Sequence, residues 1–280
     1  MSIDTQALGL ITDKDVLSLA VGLRLVGSST LVDEPAGARH KLSAKAHNAL
    51  KNLRQPIAVR DWQRRSGLSD QQAMQLILFL DSIAGLSIKR KVASKLRLMF
   101  LRFKLMLGGI KLTTGACRFE GNYWGITLAV ARALTPVSLT LVAVLTLGYL
   151  GGVFGLSFAI AQILMLVTVL VTTLLHESVH LYFARRVNLP AVVIARRVRV
   201  GVLHPMLPPN IELVSALLGP ISGIIFSSII AIVLHLFNYS EVMVGFTGIV
   251  AVFHVFSWVP EYGDGATIKR YMGVWHEKKA

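Results

Sequence analysis
The chain changes character near residue 132. Beyond it, apolar residues run almost uninterrupted from about Ala133 to Leu150, Phe154 to Ala184, Ile211 to Phe237 and Val242 to Val259. A membrane-crossing helix needs roughly 20 mostly apolar residues, so each stretch is a predicted span. Pro136 falls in the opening turn of the first, where a missing N–H costs little.

Before residue 132 the pattern is that of a small polar domain. Ser43–Leu53 and Val59–Ser66 have helical spacing, Gly67 and Leu68 suit a turn, and Ser69 caps a further predicted helix through Ile83. Ile83–Lys89 then turns into a possible strand. This is a helix-turn-helix or winged-helix outline, shared by DNA-binding and protein-interaction modules. Residues 89–111 carry eight Lys and Arg, no acid, and an apolar cluster at Leu98–Leu101, Phe103 and Leu105–Leu107. Such a segment suits an anionic lipid surface.

The expected architecture is an α-helical polytopic membrane protein with about four transmembrane helices and a small, mainly helical N-terminal cytoplasmic domain. Residues 1–95 form that domain, 96–132 a basic amphipathic linker at the membrane surface, 133–273 the membrane core and 274–280 a tail. Composition agrees: 54% of residues are hydrophobic and mean hydropathy is +0.61, too apolar for an ordinary soluble domain. Residues 1–132 hold 20 Lys and Arg against 9 Asp and Glu, which is +11 of the chain's +14. Beside membrane helices, that excess points to an anionic leaflet rather than to nucleic acid.

Loop charge orients the spans. The loops near 151–155 and 238–241 lack Lys and Arg, whereas 185–210 contains five Arg and the C-terminal tail is basic. The positive-inside rule therefore places both termini and the 185–210 loop in the cytoplasm. Met1-Ser2-Ile3-Asp4 lacks a basic n-region, so no cleavable signal peptide is expected. Cys117 is the sole cysteine, which excludes an internal disulfide and a thiolate-rich metal site.

Chemistry enters at His176-Glu177-Ser178-Val179-His180, near the cytoplasmic end of the second span. Positions four apart share a helix face, so the two imidazoles can serve one metal. Glu177 lies beside them, where it can take a proton from metal-bound water. From His176 to Arg185 is nine residues, roughly 13 Å of helix, which puts the site inside the membrane but near one surface. Interfacial histidines with a snorkelling glutamate are the alternative, at a cost of several kcal/mol so close to the apolar run Ile163–Leu175.

A catalytic zinc usually takes a third protein ligand and keeps a fourth position for water. The acids after the motif are Glu212, Glu241, Glu261, Asp264 and Glu277. Asp264 is favoured and Glu261 stands second, because Pro260, Gly263 and Gly265 break the fourth helix at about the depth of the histidine pair. Broken backbone at that depth is tolerated where it is buried or lines a wet cavity.

Over about residues 133–273 the chain resembles the site-2 protease family of intramembrane zinc metalloproteases. The resemblance rests on His176-Glu177-x-x-His180, on Gly219-Pro220 in the next helix, and on Pro260 followed by Asp264-Gly265. It implies one zinc per chain held by His176, His180 and Asp264, with Glu177 as general base. It further implies cleavage of a membrane-protein substrate in or near a transmembrane segment, with Gly219 and Pro220 near the substrate. Two departures stand out: Gly223 and Ser257 occupy positions where the family often carries Asn. Val193, Ile194, Val198 and Val200 belong to a β-branched cytoplasmic loop whose strand edge could pair with unwound substrate. A catalytically silent relative that binds membrane proteins, or a membrane zinc peptidase of another lineage, are the competing expectations. The sequence leaves the oligomeric state open.

Overall fold
The computed structural model describes residues 15–89, 116–196, 199–259 and 263–277. The chain divides into two compact units, Met1–Glu120 with Ile194–Arg197, and Gly121–Val193 with Val198–Ala280.

In the first unit, β1 (Val16–Leu19) is followed by a meander of β2 (Leu23–Val26), β3 (Thr30–Asp33) and β4 (Ala38–Lys41). Three helices come next: α1 (Ala44–Lys51), α2 (Val59–Ser66) and α3 (Asp70–Ser82). β5 (Ile57–Ala58) precedes α2, and β6 (Leu86–Lys89) follows α3. β1 lies between β5 and β6, both antiparallel, with Leu17 opposite Ile57 on one side and Ile88 on the other.

Local chemistry explains the helix ends. The Ser43 hydroxyl accepts the Ala46 N–H, and Ser69 forms a capping box with Gln72. Gly67 closes α2 in the left-handed region, φ 65°, where a Cβ would be strained. Leu17, Leu31, Leu50, Leu53, Trp62 and Leu80 are fully buried in one core. The Trp62 Nε1–H donates to the Ala49 carbonyl at 2.9 Å, so its one polar atom is satisfied. The helices and the final strand match the sequence expectation. The strands between residues 16 and 41 were not anticipated.

Arg118, in β7 (Cys117–Glu120), closes this unit by donating both terminal nitrogens to Asp33, at 2.8 and 2.6 Å. One of them also reaches the Ile83 carbonyl at 2.6 Å. The two side chains are 1% and 2% exposed, a fully desolvated bidentate pair.

The second unit contains α4 (Tyr123–Leu150), α5 (Leu156–Arg186), α6 (Pro209–Leu236), α7 (Glu241–Phe256) and α8 (Gly263–Glu277). α5 and α6 are each long and apolar enough to cross a membrane, and α4 makes a third if its two halves form one span. Their outward faces carry exposed apolar side chains such as Leu139, Leu147, Ile163, Ile225 and Ile232. Helices apolar on all faces belong in a bilayer. Threonines inside them satisfy themselves locally: Thr168 donates to the Leu164 carbonyl and Thr172 to that of Thr168, both at 2.8 Å.

One expectation needs correction. Pro136 is not in an opening turn: Asn122 caps α4 by accepting the Gly125 N–H, so the helix starts well upstream. Tyr123–Thr135 and Ser138–Leu150 then meet at 44° at the proline, which lacks the N–H for one helix hydrogen bond. α7 has 16 residues, about 24 Å of helix, and falls short of a full span by itself. α8 runs through Glu277. The surface linker lies outside the described residues from 96 to 115.

Candidate metal centre
α5 brings His176 and His180 to one face, as the four-residue spacing requires, with ring centroids 5.1 Å apart. α8 supplies Asp264 opposite them. Its carboxylate oxygens stand 3.0 Å from His176 Nε2 and 3.3 Å from His180 Nε2. Among the described residues these three could hold a metal ion, with one donor atom from each within 4.8 Å of the others. A tetrahedral ion with bonds near 2.0–2.1 Å spaces its ligand atoms about 3.3 Å apart, so the group fits.

Two glycines make that convergence possible. A Cβ on Gly219 of α6 would lie 2.9 Å from His180 Nε2 and 3.2 Å from His176 Nε2, against the very atoms that would bind the ion. Gly265 donates its N–H to the Ser257 carbonyl at 3.0 Å, tying the first turn of α8 to the end of α7. A Cβ there would collide with the Trp258 and Val259 carbonyls. Gly265 thus permits the close approach that aims Asp264.

His180 Nδ1 lies 2.9 Å from the hydroxyl of Ser215, itself 2% exposed. A histidine that binds metal through Nε2 carries its proton on Nδ1, and the hydroxyl accepts it. This is the usual support that orients a ligating imidazole. Ser215 escaped the sequence reading, because nothing local marks it. Its position four residues before Gly219, facing the same neighbour, is the one available signal.

Glu177 is buried, and its Oε2 accepts the Val202 N–H at 3.0 Å. Val202 belongs to β9 (Arg199–Leu203), the second strand of a hairpin with β8 (Val192–Arg196). Glu177, both histidines and Asp264 line a cavity of about 960 Å³, shared with Val200, Val202 and Phe256. At the C-terminal end of α5, Arg185 donates to the Gly121 carbonyl at 2.8 Å and sits 5.6 Å from the Tyr123 ring centroid.

The other expected residues fall as follows. Gly219 and Pro220 are buried on α6, the glycine against the histidines. Val200 is on β9 and lines the cavity. Val193 and Ile194 are on β8, which has a strand on each side in the order β7-β8-β9, so β8 has no free edge. Among the described residues, the unpaired edge of the hairpin is that of β9. Val198, Pro260 and Glu261 lie outside the described residues. Glu212 accepts the Tyr271 hydroxyl at 2.8 Å, and Glu241 sits 3.9 Å from His235 at the other end of α6.

No protein family, curated protein or solved structure matches the chain. The chemistry of the site therefore stands on its own geometry.

Proposed function
We propose that this chain is an intramembrane zinc metalloprotease of the site-2 protease type. It hydrolyses a peptide bond in or near a transmembrane segment of another membrane protein. The observation that carries the reading is the convergence of His176, His180 and Asp264 beside Glu177, on helices apolar enough for a bilayer.

In this reading His176, His180 and Asp264 hold one zinc. When bound, the ion lowers the pKa of its water to about 7 and polarises the scissile carbonyl. Glu177 takes the proton as the water oxygen adds to the carbonyl carbon and the C=O π pair moves onto oxygen. The pair returns, the C–N bond breaks, and the leaving nitrogen takes the proton from Glu177. The Val202 N–H holds the Glu177 carboxylate in place. An unwound substrate strand pairs along the free edge of β9, reaching the cavity beside Val200.

α4 to α7 make four crossings, and both termini face the cytoplasm. The N-terminal unit recruits or regulates substrate, and the basic linker lies on anionic lipid.

The test uses zinc-loaded protein in lipid vesicles and a panel of labelled single-span helices with Gly or Pro in their cytoplasmic half. Wild type should cut at least one, and Glu177→Gln none, with equal zinc content. Equal cutting by both proteins would remove Glu177 from the chemistry. Zinc-loaded wild type that binds panel members without cutting any would make the chain a silent binder.

A further inference from the structure
α8 carries the third acidic group of the site, so the placing of Asp264 depends on how α8 itself is held. Over Gly263–Tyr271 its only aliphatic side chains are Ala266 and Ile268, so apolar burial does little there to fix its rotation. Its first turn is tied to the end of α7 by the Gly265 N–H, which donates to the Ser257 carbonyl. One tie at one end leaves a helix free to swing and to turn about its axis. Aiming Asp264 takes a second hold.

Tyr271 provides it. Its hydroxyl donates to Glu212 Oε2 at 2.8 Å, between two partly buried side chains. Glu212 lies in the first turn of α6, where the helix dipole favours a carboxylate. α8 packs chiefly on this same helix. Tyr271 follows Asp264 by seven residues, so the two share a face of α8, with Thr267 between them. On α6, Glu212 precedes Gly219 by the same seven residues, with Ser215 and Ala216 between them. Each interval is roughly 10 Å of helix.

The far ends of the two intervals also coincide. Gly219 lies against the Nε2 atoms of His176 and His180, and the Asp264 carboxylate faces those same atoms. α8 is therefore matched to α6 at two equally spaced points, with the helices running in opposite directions. Asp264, Thr267, Glu212, Ser215 and Ala216 all line the one cavity, so the matched stretch is a wall of the site. Sliding α8 by one residue, about 1.5 Å, or turning it by about 100° would disturb both contacts together.

We infer that Tyr271 is a positioning residue for the metal: its hydrogen bond to Glu212 sets the register and rotation of α8 and so holds Asp264 against the histidine pair. The inference rests on the zinc site of the reading above and not on the peptide cleavage.

The test uses the full chain in detergent, loaded with zinc or with cobalt(II). Cobalt absorbs visible light strongly in a four-coordinate tetrahedral site and weakly once water replaces a protein ligand and the coordination number rises. Tyr271→Phe, which removes only the hydroxyl, should weaken zinc about tenfold, the lower end of the loss for a supporting partner. Its cobalt band at metal saturation should be weaker than that of wild type. Glu212→Ala should match it, whereas Glu212→Gln, which keeps an acceptor oxygen, should stay within threefold of wild type. Tyr271→Phe combined with Glu212→Ala should bind zinc no more weakly than either single variant, because both act through one bond.

Wild-type zinc affinity and cobalt band in Tyr271→Phe would overturn the inference. A lower melting temperature of metal-free Tyr271→Phe with an unchanged cobalt band would reduce the bond to one of stability and overturn it as well. Additive losses in the double variant, or equal losses in Glu212→Gln and Glu212→Ala, would do the same. Wild type that binds neither metal would sink the zinc site and this inference with it. Zinc-loaded wild type that cleaves no helix would end the proteolytic reading, and the tenfold loss in Tyr271→Phe would still uphold the positioning role.

Discussion
Ser215 offers the sharpest test of how the site is built. Its hydroxyl is the partner of His180 Nδ1 at 2.9 Å, in a place 2% exposed, where water cannot readily substitute. With zinc bound at Nε2, which stands 3.3 Å from Asp264 Oδ1, that bond would hold the imidazole in one orientation with its proton on Nδ1. Ser215→Ala leaves the ring free to rotate and strands its Nδ1–H. Removing such a supporting partner typically weakens metal affinity 10–100-fold, or about 1.4–2.8 kcal/mol. The assay is zinc competition against a fluorescent chelator on purified protein at neutral pH. Ser227→Ala is the control: Ser227 is buried on the same helix and donates to the Gly223 carbonyl at 2.7 Å, away from the ligands. It should bind zinc as wild type does. Equal zinc affinity in Ser215→Ala and wild type, with melting temperature unchanged, would refute the orienting role.

Gly219→Ala should weaken zinc at least tenfold in the same competition, since the new methyl meets both ligand nitrogens; wild-type affinity would mean that α6 can retreat. Arg118→Met leaves Asp33 buried and unpaired, which should cost about 3–5 kcal/mol. Hydrogen exchange of β1 and β3 in the full chain would show the loss, and Asp33→Asn in the same protein should recover part of it. His47 is 1% exposed, with neither ring nitrogen hydrogen-bonded among the described residues. Burial, then Lys51 and Arg54, hold its pKa below 6.5. The unfolded chain therefore takes up this proton first. The contribution to stability is complete above pH 6.5 and declines as pH falls from there toward the folded pKa. His47→Leu should flatten that part of a melting curve taken from pH 7.5 to 5, and an unchanged slope would show that another group is responsible.

What could be read from the chain and what could not separate along a physical line. Signals local in sequence were legible. The apolar runs of α5 and α6, the caps at Ser43 and Ser69, the left-handed Gly67 and the His176–His180 spacing each act within a turn or two of chain. The strands between residues 16 and 41 were not legible. Each has four residues, too few for alternation to stand out, and β1 is stabilised by partners some 40 and 70 positions away. Pro136 misled for a related reason. A proline is equally at home in a first turn and at a kink, and the decision rested with Asn122, whose cap lies fourteen residues earlier.

The site divides in the same way. Ser215, Gly219, Gly223 and Ser227 recur every four residues on α6, so a stripe of small side chains could be read from spacing alone. Such a stripe says only that something approaches closely. What approaches depends on how α5 and α7 are rotated about their own axes, and no local pattern encodes that rotation. Once the helices are placed, each position of the stripe gains a separate reason: a hydroxyl for His180 at 215, clearance for the ligand nitrogens at 219, and room for His254 at 223. Gly223 gains most from the placement. From sequence it was a departure from a resembling family; against the ring of His254 it is a requirement. An absent side chain is informative only when its neighbour is known, so His176, Glu177 and His180 were readable and the groups packed around them were not.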